Sequence, residues 1–140
     1  MGVPLRVVSV ERSLFDDEVD GQGRPFLVCP GAEGELGVLP HHAPLLTTLR
    51  PGELQIRNGT EQISLFVAGG FLEILPDRVT VLADVAERAE EISEEAAEEA
   101  RQRAQERLAG ELSPQERAEM ELVLETAEAR LRLARLRKGT

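Results

Sequence analysis

The chain has 140 residues, of which 41% are hydrophobic and 30% are charged, and its formal net charge is −10. This length accommodates one ordinary domain, or a small domain with an appendage, and so negative a chain is unsuited to nucleic-acid phosphates. With Cys29 as the single cysteine no intramolecular disulfide can form, and no apolar run reaches the roughly 18 residues that a membrane span needs. The single cysteine fits a reducing compartment, and MGVPLRVVSV lacks the basic start and apolar block of a signal peptide, so we expect none.

Residues before about position 86 have the pattern of short strands separated by turns. Apolar residues alternate or form short runs in LRVVSV, PFLVC, ELQIR, QISLFV, FLEIL and RVTVLA. The breaks between these runs, such as RPG at 50–52 and RNGTE at 57–61, supply the backbone freedom that tight turns require. Many short strands at regular spacing predict a sandwich or barrel built mainly from antiparallel pairs.

After residue 86 glycine and proline become rare, and the pattern predicts two helices. The first, within 87–109, has small or apolar residues four apart on one face: Ile92, Ala96, Ala100, Ala104 and Leu108. Gly110 follows where a helix C-cap favours a left-handed residue. Ser113, Pro114 and Glu116 form an N-cap with a capping box, which starts the second helix. That helix carries a coiled-coil-like seam of Met120, Leu124, Ala127, Leu131 and Ala134.

The charges along the two helices favour an antiparallel hairpin. Each helix begins with Glu and ends with Arg, an order that complements the helix dipole. In the hairpin, the acidic start of each helix lies beside the basic end of the other. Exposed ion pairs contribute only about 0.2–1 kcal/mol each, so they set register more than stability. Because alanine side chains bury little area, we expect the two helices to be weakly held together.

The segment PGAEGELGVLPHHAPLL, residues 30–46, contains residue types found in several kinds of site. Cys29 could pair with His41 or His42 as nucleophile and base, but it ends an apolar run where a small buried thiol is common. Adjacent histidines on an extended chain point in opposite directions, which disfavours a metal site. No GK[ST] follows the glycines, so they do not form a phosphate-binding loop. We therefore expect no catalytic residue, no metal and no cofactor.

Several motifs, in order along the chain, resemble the epsilon subunit of rotary ATP synthases. They are VVSVERSLFDDEV, PGAEGELGVLPHHAPLLTTLRPGELQI, VAGGFLEILPDRVTVLADVAERAEEI and the Ala/Glu/Arg-rich hairpin. The resemblance implies a flattened, mainly antiparallel β-sandwich of about ten strands at residues 1–86. It also implies a helix–loop–helix hairpin at residues 87–140. Both agree with the interpretation reached from the residue patterns alone.

The resemblance further implies a non-catalytic subunit in the central stalk, the rotor, of a proton- or sodium-driven ATP synthase. Such a subunit bridges the gamma subunit and the c-ring on the cytoplasmic face of a bacterial membrane. Catalysis belongs to the alpha and beta subunits, the membrane is reached only through the complex, and the isolated chain is expected to be a monomer. Matched to the family motif, Glu33, Glu35 and His42 are candidate contacts with the c-ring or gamma.

In relatives, the hairpin can extend toward acidic segments of the catalytic subunits and resist ATP hydrolysis. Arg pairs readily with carboxylates, so the basic end of the second helix suits this role. This regulatory basic end comprises Arg130, Arg132, Arg135, Arg137 and Lys138. The alternative hypothesis is a free-standing β-sandwich that binds a ligand and dimerises through its helices.

Three features depart from the family pattern. The extra stretch GQGRP, residues 21–25, is expected to lengthen a hairpin loop, and His41 replaces what is commonly glycine or another small turn residue. Some relatives bind ATP through Ile or Leu, then Asp, two variable residues, Arg and Ala. The equivalent run here is ISEEAA, with Ser93 and Ala96 at the Asp and Arg positions. We therefore expect this hairpin not to bind ATP at useful affinity.

Overall fold

The computed structural model describes residues 2–138, which form two compact units, one ending at Arg88 and the other beginning at Ala89. The first unit contains eight strands: β1 (Val3–Ser9), β2 (Ser13–Val19), β3 (Leu27–Gly31), β4 (Gly34–Val38), β5 (Leu45–Thr48), β6 (Gly52–Asn58), β7 (Glu61–Leu75) and β8 (Arg78–Arg88). The second contains a 3₁₀ turn (Ala89–Glu91) and two helices, α1 (Glu94–Leu108) and α2 (Pro114–Lys138). The predicted order of a β domain followed by a helical hairpin is confirmed.

The strands hydrogen-bond in the order β2-β1-β8-β7-β6-β3-β4, with β5 also paired to β7. Every pair of strands is antiparallel except β1 with β8, which run parallel. Strand β7 changes neighbours along its length, because residues 61–67 pair with β6 and residues 71–74 pair with β5. Strand β8 likewise continues past β1, whose pairing ends at Ala83. The structure therefore has eight strands where the family resemblance implies about ten, because β7 and β8 each run unbroken past more than one neighbour.

The change of neighbours along β7 falls at two glycines with left-handed backbones, Gly69 (φ +72°) and Gly70 (φ +98°). Glycine populates this region without steric penalty. A Cβ atom on Gly70 would lie 2.0 Å from the carbonyl oxygen of Leu82 and 2.8 Å from the Cα atom of Ala83, both on β8. The two strands therefore approach each other at a distance that only glycine permits.

The core of the β unit is built from alternate residues of its strands. Val7, Ile56, Leu72, Ile74 and Val81 are all fully buried. Their neighbours along each strand point outward, as the period of two in FLEIL and RVTVLA predicts. Among the described residues no polar or charged residue is buried. The unit is thus held together by apolar packing and by the hydrogen bonds of its sheet.

The helices α1 and α2 pack through small side chains, and the predicted seam is confirmed over 127–134 of α2, is only half-buried at Met120 and Leu124, and is partly wrong for α1. Ala127, Leu131 and Ala134 of α2 are buried, whereas on α1 the buried residues are Ala97 and Ala104. Ala96, which the four-residue spacing places in the seam, is exposed. Residues four apart advance about 40° around a helix at each step, so a strict four-residue stripe leaves the contact line. No helix within residues 2–138 combines the length and apolarity needed to cross a membrane.

The loop between the helices contains one cap that the sequence predicts. The backbone N–H of Glu116 donates to Ser113 Oγ at 3.1 Å, and the backbone N–H of Ser113 donates to Glu116 Oε1 at 3.1 Å. This reciprocal pair is the predicted capping box. It satisfies donors that the start of a helix otherwise leaves without partners.

The predicted left-handed cap at Gly110 is wrong. Ala109 is the C-cap, with φ −77° and ψ −15°, and Gly110 is not among the positive-φ glycines. The last turn instead tightens, since the backbone N–H of Gly110 donates to the carbonyl of Arg107 at 3.2 Å. Arg117 of α2 donates through Nη2 to the carbonyl of Leu108 at 3.3 Å. These bonds satisfy carbonyl oxygens at the end of α1 that a left-handed cap would otherwise serve.

Candidate functional site

Strands β3 and β4 form a hairpin whose two-residue tip, Ala32 and Glu33, is exposed. The register pairs Gly31 with Gly34 on either side of this tip. Gly34 has φ +126°, a conformation that side chains with a Cβ rarely adopt, so glycine is required for the tight turn. Glu33 and Glu35 are both exposed, and the hairpin therefore presents two carboxylates to solvent at one end of the β unit.

The two histidines lie in the connection between β4 and β5 and have different environments. His41 is exposed and adopts a left-handed backbone with φ +63°, a conformation that glycine adopts more readily than histidine. His42 is half-buried, and its Nδ1 donates to the carbonyl of Ala43 at 2.6 Å. Within residues 2–138 no group of three His, Cys, Asp or Glu side chains is arranged to hold a metal ion.

Cys29 is fully buried in the core of the β unit. Burial, with a smaller contribution from the charge of Glu35, raises the pKa of the Cys29 thiol to about 12. The thiolate is the nucleophilic form of cysteine, so at neutral pH this side chain is protonated and unreactive. The structure therefore supports the interpretation of Cys29 as a core residue and not as half of a nucleophile–base pair.

The outward face of β1, β5, β7 and β8 carries large apolar side chains, here called the outer apolar face: Val8, Leu46, Phe71 and Leu82. Phe71 of β7 lies opposite Leu82 of β8, which is in turn in register with Val8 of β1. Leu46 pairs with Glu73, two residues beyond Phe71, and so shares this face. Leu46 is 66% exposed, Phe71 51% and Leu82 48%. Contiguous exposed apolar residues mark contact surfaces.

Neither Phe71 nor Leu82 was identified as a site residue from the sequence, although a signal was present. In FLEIL and RVTVLA the buried positions alternate with outward ones, and an outward residue in each strand is large and apolar. A strand with one solvated face would normally carry polar residues there. Large apolar residues at these outward positions indicate that another surface covers them. Only the strand register shows that Phe71 and Leu82 lie side by side.

The stretch GQGRP does not lengthen a hairpin loop, and that prediction is wrong. It connects β2 to β3, which are not paired with each other in the sheet. Two hydrogen bonds of Asp20 join this connection to the β6–β7 turn. The carbonyl of Asp20 accepts from the backbone N–H of Gly59 at 2.7 Å, and the backbone N–H of Asp20 donates to Asn58 Oδ1 at 3.1 Å. Within it, the backbone N–H of Arg24 donates to the carbonyl of Gly21 at 3.1 Å. The extra residues thus form an ordered turn between two distant strands.

A charged cluster, here called the hairpin cluster, joins the start of α1 to the end of α2: Glu94, Glu98, Arg101 and Arg135. Arg135 Nε donates to Glu94 Oε1 at 3.1 Å, and its Nη2 lies 3.7 Å from Glu98 Oε2. Arg101 of α1 donates through Nε to Glu98 Oε2 at 2.9 Å and through Nη2 to Glu98 Oε1. The hydrogen bonds from Arg101, assisted by the charge of Arg135, lower the pKa of Glu98 to about 2. The predicted meeting of an acidic start with a basic end is confirmed.

The remaining residues of the regulatory basic end differ in exposure. Arg132 and Arg137 are exposed, as is Arg135, whereas Arg130 is half-buried. The side chain of Lys138 lies outside the described residues. Arg135, the member of this end in the hairpin cluster, is exposed while it pairs with carboxylates of α1.

The run ISEEAA, residues 92–97, lies at the start of α1. Ser93 is the N-cap, and its Oγ accepts the backbone N–H of Ala96 at 3.2 Å. The Ser93 hydroxyl is therefore engaged in capping, while the exposed methyl group of Ala96 offers no donor. Glu94, next in the run, pairs with Arg135. The absence of ATP binding stays a prediction, and this geometry is the reason for it.

The structure thus combines a β-sandwich unit with a helical hairpin, and it presents exposed surfaces suited to contact with other chains. Residues 3–89 match the model of the ATP synthase delta/epsilon chain β-sandwich domain, and residues 90–135 match that of its long α-helix domain. The chain belongs to the epsilon-chain family of ATP synthases.

Individual relatives match over almost their whole length. The ATP synthase epsilon chain of Dehalococcoides mccartyi (strain CBDB1) is 51% identical over 96% of this chain and 93% of the relative. That of Acidithiobacillus ferridurans is 50% identical over 99% and 95%. Among solved structures, a chain of the Euglena gracilis mitochondrial ATP synthase has a TM-score of 0.77 at 23% identity, covering 91% of this chain and 78% of that one. This last likeness concerns the fold alone.

Proposed function

We propose that this chain is a non-catalytic rotor subunit of an ATP synthase, located on the cytoplasmic face of a bacterial membrane. In this role it bridges the gamma subunit and the c-ring in the central stalk, while the alpha and beta subunits perform catalysis. The observation that carries the proposal is the match to epsilon chains over both units of the structure. The protonated, buried thiol of Cys29 is consistent with a subunit that performs no chemistry.

The β unit supplies the proposed contacts with the rotor. The outer apolar face suits a protein partner, because Phe71 and Leu82 would leave water on binding. The β3–β4 tip suits polar loops, because Glu33 and Glu35 are exposed on a hairpin held by a tight turn. We assign the outer apolar face to gamma and the tip to the c-ring. His42 lies in the connection between β4 and β5, and we assign it to the same contact region.

The assignment of the tip is tested by site-specific photo-crosslinking in the assembled enzyme. A photoreactive amino acid replaces Glu33 in one variant and Thr60 in its matched control. Thr60 is exposed in the β6–β7 turn, at the end of the β unit away from the β3–β4 tip. Near the tip, the backbone N–H of Arg50 donates to the carbonyl of Pro30, whereas near Thr60 the backbone N–H of Arg57 donates to the carbonyl of Phe26. We expect products with c from position 33 and none with c from position 60, and products with gamma alone from position 33 would contradict the assignment. Equal products from both positions would refute the assignment.

The hairpin is the proposed regulatory part, and its basic end is suited to acidic segments of the catalytic subunits. Removing the chain from Ala89 onward, after the last residue of β8, leaves every strand of the β unit in place. We expect this truncation to raise ATP hydrolysis by the assembled enzyme and to leave synthesis largely intact. Hydrolysis that stays unchanged in a coupled enzyme would show that the hairpin does not inhibit.

The alternative, a ligand-binding β-sandwich that dimerises through its helices, predicts a stable homodimer of the isolated chain. The rotor proposal predicts a monomer that binds gamma. Analytical ultracentrifugation of the purified chain, alone and with gamma, separates the two predictions. The match to epsilon chains along the whole chain favours the rotor.

A further inference from the structure

We propose that Glu94 and Glu98 are an intrachain competitor for the basic end of α2, holding Arg135 in the closed hairpin until another chain's carboxylates replace them. The effect of this competition on ATP hydrolysis rests on the proposed regulatory role of the hairpin. Closure of the hairpin itself is a property of the isolated chain. The two can therefore be measured separately.

The contacts of Arg135 are suited to an exchange of partners. Its guanidinium reaches two carboxylates of the opposite helix, at 3.1 Å to Glu94 and 3.7 Å to Glu98. The Arg135 side chain is 58% exposed, whereas those of Glu94 and Glu98 are each 28% exposed. An acidic group from another chain can thus approach Arg135 from solvent before the internal carboxylates have left.

A groove beside the hairpin cluster offers room for such an approach. It has a volume of about 450 Å³ and is lined by Arg101, Glu128, Leu131, Arg132, Arg135 and Leu136. Three of these six residues are arginines, and guanidinium groups bind carboxylates through paired hydrogen bonds. Glu128, whose charge acts on Arg101, is the carboxylate among them. The groove therefore favours an acidic segment, with Leu131 and Leu136 available for apolar contact.

The position of the cluster explains why it would control opening. At the loop end, the hairpin is fixed by the capping box of Ser113 and Glu116 and by Arg117, which bonds back to α1. At the opposite end, Arg135 joins the last turns of α2 to the first turn of α1. Between these ends the buried side chains are mostly alanine, which contributes little burial, and the two buried leucines of α2, Leu131 and Leu133, precede Arg135. Loss of the ion pairs should therefore free the end of α2 first.

The test of closure is hydrogen exchange, followed by mass spectrometry, on the isolated full chain. The variant Glu94→Gln/Glu98→Gln removes the competitor, and Glu95→Gln/Glu99→Gln removes two equal charges one residue along the same helix, from exposed positions. Because exposed ion pairs are individually weak, we expect exchange in the last turns of α2 to rise roughly two- to fivefold in the first variant. The control should match the unaltered chain. Equal exchange in the two variants would overturn the inference.

The consequence is measured as ATP hydrolysis by the assembled enzyme carrying each variant. We expect Glu94→Gln/Glu98→Gln to lower hydrolysis, because the freed basic end reaches its partner more often, and Arg135→Gln to raise it. Glu95→Gln/Glu99→Gln should change neither. Hydrolysis that rises on removal of the hairpin yet does not fall with Glu94→Gln/Glu98→Gln refutes the competitor alone. Hydrolysis that is insensitive even to hairpin removal refutes the proposed regulatory function.

Discussion

Replacing Gly70 by alanine should disrupt the β unit far more than the same change at its neighbour Gly69. Both glycines have left-handed backbones, with φ +98° and +72°. Their surroundings differ, because a Cβ on Gly70 meets the backbone of β8, while a Cβ on Gly69 meets the side chain of Asp84, 2.4 Å away at Oδ2. A side-chain carboxylate can rotate aside, whereas a paired strand cannot.

The expected magnitudes follow from these contacts. The Gly70 Cβ would lie 2.0 Å from the carbonyl oxygen of Leu82. Carbon–oxygen contacts are ordinarily at least about 3.3 Å, so β8 would have to retreat by roughly 1.3 Å and break its ladder with β7. We expect Gly70→Ala to lower the free energy of unfolding by about 3 kcal/mol or more. Gly69→Ala should cost about 1–2 kcal/mol, the ordinary penalty for a left-handed backbone.

The assay is urea denaturation of the full chain. Since the chain has neither Trp nor Tyr, intrinsic fluorescence offers little signal. Methyl resonances of the buried residues Ile74 and Val81 report unfolding of the β unit without interference from the helices. The reasoning is refuted if Gly70→Ala costs no more than Gly69→Ala, because the close approach of β7 and β8 would then not constrain the fold.

Three further predictions concern the thiol, the cap and the hairpin cluster. Cys29, whose pKa is raised to about 12, should resist thiol reagents in the native chain at pH 8 and react at once in urea. Ser113→Ala removes the capping box and should destabilise the hairpin by about 1 kcal/mol in thermal unfolding, whereas Ser113→Asp should retain most of the stability. Because the pKa of Glu98 is lowered from 4.5 to about 2, its ionised form stabilises the hairpin above pH 4.5, and this stabilisation is lost as the pH falls toward 2. NMR titration of the Glu98 carboxyl should give a midpoint near the lower value, and a midpoint near 4.5 would contradict the prediction.

Local rules predicted much of this fold, because the signals they use lie within a few residues of each other. The capping box at Ser113 and the strands FLEIL and RVTVLA depend on spacing along one segment, and the structure confirms them. The seam of α2 was predicted for the same reason. Its side chains repeat at spacings of three and four, which stay on one face of a helix.

The features that were missed depend on partners distant in sequence. The sequence predicts a left-handed cap at Gly110, but it does not show that Arg117, from the next helix, donates to the carbonyls of Leu108 and Gly110 at this end of α1. The outer apolar face exists only because the register sets Phe71 opposite Leu82. The stretch GQGRP resembled a longer hairpin loop because nothing near it in sequence indicates that β2 and β3 are unpaired.

The most direct test of the rotor assignment is affinity purification of the tagged full chain from mildly solubilised membranes of its own cell. The rotor proposal predicts that gamma, the c-ring and the alpha and beta subunits co-purify with it. Replacing Phe71 and Leu82, exposed on the outer apolar face, by Asp should weaken recovery of gamma. The matched control replaces Gln62 and Thr60, exposed at the β6–β7 turn, by Asp and should retain it. Recovery of the unaltered chain as a homo-oligomer, without any ATP synthase subunit, would contradict the account.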